Sequence, residues 1–289
     1  MKTIHYNSAS IKKLQPLEVA TYLKSTGWTQ QHCVENTWAN WVKDDIYEIF
    51  LPLNQNFRDF SLRMSEVLRQ LELAEKRSQI MIFNDLLTTN SDIIRVRLID
   101  PELEDGTITI DEHERIIQNV RNMMKYAACA TINPEKANDY LKGIRIGQSE
   151  RGSYILTIHS RIPPRLQSDK DDPFPRKIVE QLALALDELR LATQNNLESF
   201  ANAIKEKTIS ADLCKAVMGL AGLDNQRSME ISFSWACGLP LTEERPALVA
   251  FQAHEIFFIA EAERLSRKIS LPDIGPPLSR DKLKINMLA

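Results

Sequence analysis

Apolar residues recur along the chain at two spacings, and the changes from one to the other mark the elements. After Pro16, Leu17, Ala20 and Leu23 keep a helical period, and Gly27 stands where a helix would end. The β-rich runs 37–42 and 46–51 flank Lys43-Asp44-Asp45, which has the length and polarity of a hairpin loop. Phe57, Phe60, Met64, Val67, Leu68 and Leu71 return to the i, i+3, i+4, i+7 pattern of an amphipathic helix. A second helix is predicted from Ser78, a candidate cap, through Ile82, Phe83 and Leu86 to the polar break at 88–91.

In 93–98 arginine alternates with aliphatic residues, and an Asp-Gly turn leads to Thr107-Ile-Thr-Ile110, so the pattern predicts a second β pair with Arg95 and Arg97 on one face. Helices follow at 111–131 and 134–141, and a strand at 153–162 is stopped by Pro163 and Pro164. Further helices are predicted at 178–193, 197–206, 210–220 and 254–268, with a strand at 229–236. The expected class is α+β. Its N-terminal region, 1–166, mixes helices with antiparallel sheet. A linker at 167–175 separates it from a smaller helix-rich region, 176–270, and 271–289 forms an extended tail.

Composition narrows the function classes. The 289 residues carry a net charge of −3, so no global charge draws the chain to nucleic acid or anionic membrane, and any such binding needs a local patch. Cys33, Cys129, Cys214 and Cys237 form no CxxC pair, which speaks against a zinc knuckle or a disulfide framework. No apolar run approaches the roughly 20 residues that span a bilayer, and none follows the first residues as a signal peptide would. The expectation is a cytoplasmic protein without membrane contact.

Candidate chemistry lies in two places. The loop from Gly143 to Ser153 combines three glycines with Arg145, Gln148, Ser149 and Arg151, donors suited to an anion. It lacks the GK[ST] of a phosphate-binding Walker loop and the strand-GxGxxG-helix setting of a dinucleotide site. Should the strands share a sheet, Arg95, Arg97, Arg145, Arg151 and Arg161 form one basic surface; a solvated strand face explains the same alternation. The second place is the aromatic group of the first hairpin, with Trp38, Trp41 and Tyr47 as candidate partner-binding residues. Odd spacing puts the two tryptophans on opposite faces, so one of them points outward.

Other signals fail in detail. Carboxylates at 100, 102 and 104 imitate a calcium loop, but the glycine falls at 106 and Asp111 replaces the closing glutamate. His5, His32, His113, His159 and His254 show no metal-ligand spacing, and His32 beside Cys33 lacks the surroundings of a nucleophile. No catalytic residue, metal ligand or cofactor is assigned.

The strings YLKSTGW, EIFLPLN, FRDFSLRM, EKRSQI, IGQSERGSY and SMEISFSWA resemble an uncharacterised group of bacterial proteins, to which no activity is attached. Two functional expectations follow. The first is a non-enzymatic adaptor that engages a protein partner or associates with itself. The alternative is a nucleic-acid-binding component of a bacterial antiviral defence or mobile-element system, holding phosphates with the arginine patch.

Overall fold

Local chemistry sets the first elements of the computed structural model, which describes residues 8–103, 106–147, 154–163, 172–222 and 227–270. A short helix α1 (Ser8–Ile11) leads to α2 (Pro16–Ser25), opened by the proline whose missing N–H would have had no helical partner. The antiparallel strands β1 (Thr29–Val34), β2 (Trp38–Lys43) and β3 (Tyr47–Pro52) form a sheet in that order. Asp44 and Asp45 close the second hairpin with φ of 55° and 53°, a left-handed conformation that short polar side chains tolerate. Helices α3 (Phe60–Glu75) and α4 (Gln79–Thr88) complete this unit. Their apolar stripes join Leu23, Trp28, Trp41, Ile49 and Leu51 in a core of its own.

The rest of the chain builds a larger antiparallel sheet. Strand β4 (Ser91–Ile99) leads through the turn Pro101–Leu103 to helices α5 (Ile110–Thr131) and α6 (Pro134–Gly143). Strands β5 (Arg145–Ile146) and β6 (Ile155–Arg161) follow, then helices α7 (Phe174–Ala192), α8 (Leu197–Lys205) and α9 (Ala211–Ala221). Strands β7 (Ser228–Ser234) and β8 (Leu248–Phe251) and helix α10 (Ala253–Ser270) end the described chain. The sheet order is β5-β6-β4-β7-β8, and the fold is α+β. Ile94, Val96, Leu98, Ile158, Ile231 and Phe251 face a second core, against α5, α7, α9 and α10. No described helix is long and apolar enough to cross a membrane.

Three expectations change. Residues 107–110 make no strand. Thr109 accepts the Glu112 N–H at 3.3 Å and starts α5, because T-x-x-E is a helix-capping sequence that outweighs four residues of alternation. Strands β1 and β8 escape sequence reading because the first, Thr-Gln-Gln-His-Cys-Val, has no apolar alternation and the second has four residues; each exists through its pairing with a neighbour. Finally, β4 pairs along its length with β7 from beyond the expected linker, so one sheet and one core straddle the division between 1–166 and 176–270. Of that linker, 167–171 lie outside the described residues, as does the expected tail, 271–289.

Candidate functional site

The inward face of the large sheet is apolar, so strand alternation forces the intervening residues onto the opposite face. Register places them side by side. Arg145 stands opposite His159, His159 opposite Ile93, and Ile93 opposite Ser234. In the next row Thr157 faces Arg95, which faces Ser232; in the one after, Ile155, Arg97 and Glu230 lie abreast. Arg97, Arg145, Arg161 and Ser234 are exposed, and Arg95 and His159 are partly so. The expected basic surface is therefore assembled from three separate strands.

Its charges are partly engaged. Arg95 donates to the Ser234 hydroxyl at 2.8 Å, Arg97 pairs with Glu230 at 3.2 Å, and Arg161 reaches Glu18 of α2 at 3.5 Å. Arg145 donates to the carbonyls of Lys142 and Ile144 at the end of α6, at 2.8 and 3.1 Å. A guanidinium has five N–H donors, and these bonds orient each fork on the outer face. Gln148, Ser149 and Arg151 lie outside the described residues.

At the β4 end, α2 and α4 overhang this face and enclose a cleft of about 760 Å³. One wall carries Arg95, Thr157, His159 and Ser234; the other carries Tyr22, Arg77 and Asp85. Arg77 bridges Glu75 and Asp85, and the Tyr22 hydroxyl donates to Glu75 at 2.9 Å, so the acids of that wall are tied up. Burial, joined by the charge of Arg95, holds the His159 imidazole below its ordinary value. Gly147 packs so close to this ring that a Cβ there would lie 2.5 Å from His159 Nε2. Just beneath the surface, the hydroxyl of Thr157, a residue 5% exposed, has no hydrogen-bond partner.

A buried ion pair anchors the cleft. Asp92 and Arg176 have side chains 0% and 1% exposed and meet through two bonds of 2.9 Å, while Asp92 also accepts the Ala236 N–H at 2.9 Å. The Arg176 guanidinium lies under the Trp235 ring. Burial pushes the Asp92 carboxyl up to about 6, against the opposite pull of Arg176 and the amide. The pair thereby pins the segment after β7, whose Trp235 and Cys237 line the cleft.

The aromatic candidates separate. Trp41, 5% exposed, is in the core of the small unit, and Tyr47 packs against the same core. Both are withdrawn as partner-binding residues, since alternation along β2 and β3 sends them inward with Ile49 and Leu51. Trp38 stays on the outer face, edge-to-face with Phe50, which is 51% exposed.

Sequence reading missed Thr157, His159, Ser234, Arg77 and the Asp92–Arg176 pair. Period-2 alternation does put Thr157 and His159 on one strand face, but their meeting with Arg95 depends on strand pairing. Among the described residues, no group of three or more His, Cys, Asp or Glu side chains is placed to hold a metal ion. Comparison with protein-family models, curated proteins and solved structures finds no match, so the geometry itself carries the functional argument.

Proposed function

We propose that the outer face of the large sheet is a platform for a single-stranded nucleic acid, held mainly through its phosphates. The observation that carries this reading is the register that sets Arg95, Arg97 and Arg145 on one exposed face. Phosphate contacts of this kind need charge and donors, not a base-reading groove. On this outer face the exposed strand positions are Ile99, Leu248 and polar residues instead of aromatics, so stacking contributes little and binding is expected to be insensitive to sequence. The exposed free thiols of Cys33 and Cys129 fit a reducing cytoplasm.

Oligonucleotide binding followed by fluorescence anisotropy across a salt series tests the reading. Three phosphate contacts give a slope of roughly −2 in log K against log salt for a single strand. Arg95→Glu combined with Arg145→Glu is expected to abolish binding without changing the thermal midpoint appreciably. Salt-independent binding, or an unaffected double variant, overturns the platform.

A second reading, the protein-binding adaptor, is favoured by the outward Trp38–Phe50 pair and by Val34 beside it, 46% exposed. It places self-association on the outer face of the small sheet. Sedimentation then reports a mass above the monomer that Phe50→Glu returns to the monomer value; a monomer at all concentrations removes this reading.

A further inference from the structure

We infer that the cleft beneath α2 and α4 is a phosphomonoester pocket, formed by Arg95, His159, Thr157 and Ser234, that takes the terminal phosphate of a bound strand or of a free mononucleotide. The strand source rests on the platform reading; the mononucleotide source does not. Its volume of about 760 Å³ lies within the range of small-molecule sites, whose walls place a few polar groups in register. Here the donors come from three adjacent strands: Thr157 and His159 on β6, Arg95 on β4 and Ser234 on β7. A monoester presents three peripheral oxygens, one more than a chain diester, and so uses a cluster of this kind more fully.

Two further observations point to a ligand. The Thr157 hydroxyl is unpartnered just below the cleft wall, and a buried polar group left without a partner is a liability that an arriving acceptor removes. Gly147 leaves no room for a side chain at the edge of the His159 ring, a close fit that holds the imidazole over β5. Across the cleft Asp85 is engaged by Arg77, which limits repulsion of an entering anion.

The test titrates the full chain by calorimetry with adenosine 5′-monophosphate, adenosine and inorganic phosphate, and compares oligonucleotides with and without a 5′-phosphate by anisotropy. The monophosphate is expected to bind and adenosine not to bind, with phosphorylated strands preferred. Thr157→Val replaces the hydroxyl with a methyl group of similar size. It is expected to weaken the monophosphate roughly tenfold or more while leaving the denaturation midpoint unchanged or raised, because no internal hydrogen bond is lost. A merely structural threonine would give the reverse result, lower stability and unchanged affinity, and would overturn the pocket. Equal binding of both strands without monophosphate binding overturns the pocket while leaving the platform standing. Monophosphate binding without strand binding overturns the platform and leaves the pocket.

Discussion

Removing the carboxylate of Asp92 tests how the cleft is held. Asp92→Asn keeps the shape of the side chain but leaves the guanidinium of Arg176, 1% exposed, without its counter-charge. Breaking a buried pair from one side generally costs about 3–5 kcal/mol, because the remaining ion keeps its desolvation penalty. At roughly 2–4 °C per kcal/mol for a chain of this size, the midpoint should fall by about 6–20 °C. Replacing both partners together, Asp92→Leu with Arg176→Met, should recover most of this loss, since packed apolar side chains need no compensation. Arg176→Met alone should depend on pH. The folded Asp92 carboxyl titrates near 6, above its ordinary 3.8, so its contribution is complete below 3.8 and is lost as pH rises through about 6. Without Arg176 that carboxyl moves higher still, so the variant should compare worse with the parent at pH 8 than at pH 5. Urea unfolding followed by tryptophan fluorescence measures all four proteins. An Asp92→Asn variant within about 1 kcal/mol of the parent, or a double variant no more stable than Asp92→Asn alone, would refute the reasoning.

Three other outcomes follow from the same geometry. His159 titrates below its ordinary 6.5, so its stabilising contribution is present above 6.5 and lost as pH falls; the stability gap between the parent and His159→Gln should shrink from pH 7.5 to pH 5 in urea titrations. Gly219→Ala should lower the thermal midpoint, because a Cβ there would lie 2.2 Å from Asn119 Oδ1 where α9 crosses α5; an unchanged midpoint would mean that Asn119 swings clear without loss. Trp41→Ala should destabilise by about 3–5 kcal/mol, as for other buried aromatic truncations, and Trp38→Ala by clearly less, by chemical denaturation; equal losses would contradict the assignment of faces.

Sequence reading fails in three different ways: on a helix cap, on a strand without an apolar period, and on strands paired across the chain. The alternation of Thr107-Ile-Thr-Ile110 was locally as good as a strand, yet a threonine three residues before Glu112 starts a helix, and capping is a local force that pattern counting ignored. β1, with the sequence TQQHCV, has no hydrophobic period at all; it is a strand because the turn at Asn36, φ 56°, folds it back on β2. The proline-rich stretch at 167–175 suggested a boundary, but a linker ends a domain only when few contacts cross it, and β4 with β7 crosses it.

The sequence by itself determined the α+β class, helices after Pro16, over Phe57 to Leu71 and over 111–131, and the common face of Arg95 and Arg97, because these depend on spacing within one segment. It also determined that only one of Trp38 and Trp41 faces outward, since alternation is a property of the strand itself. Only the tertiary structure decided which one does, that Arg145 and His159 join Arg95, that α2 and α4 close a cleft over them, and that Asp92 is matched by Arg176, 84 residues further on. Those outcomes follow from strand register and from which apolar faces bury each other, a minimum reached by the whole chain and written in no single segment of it.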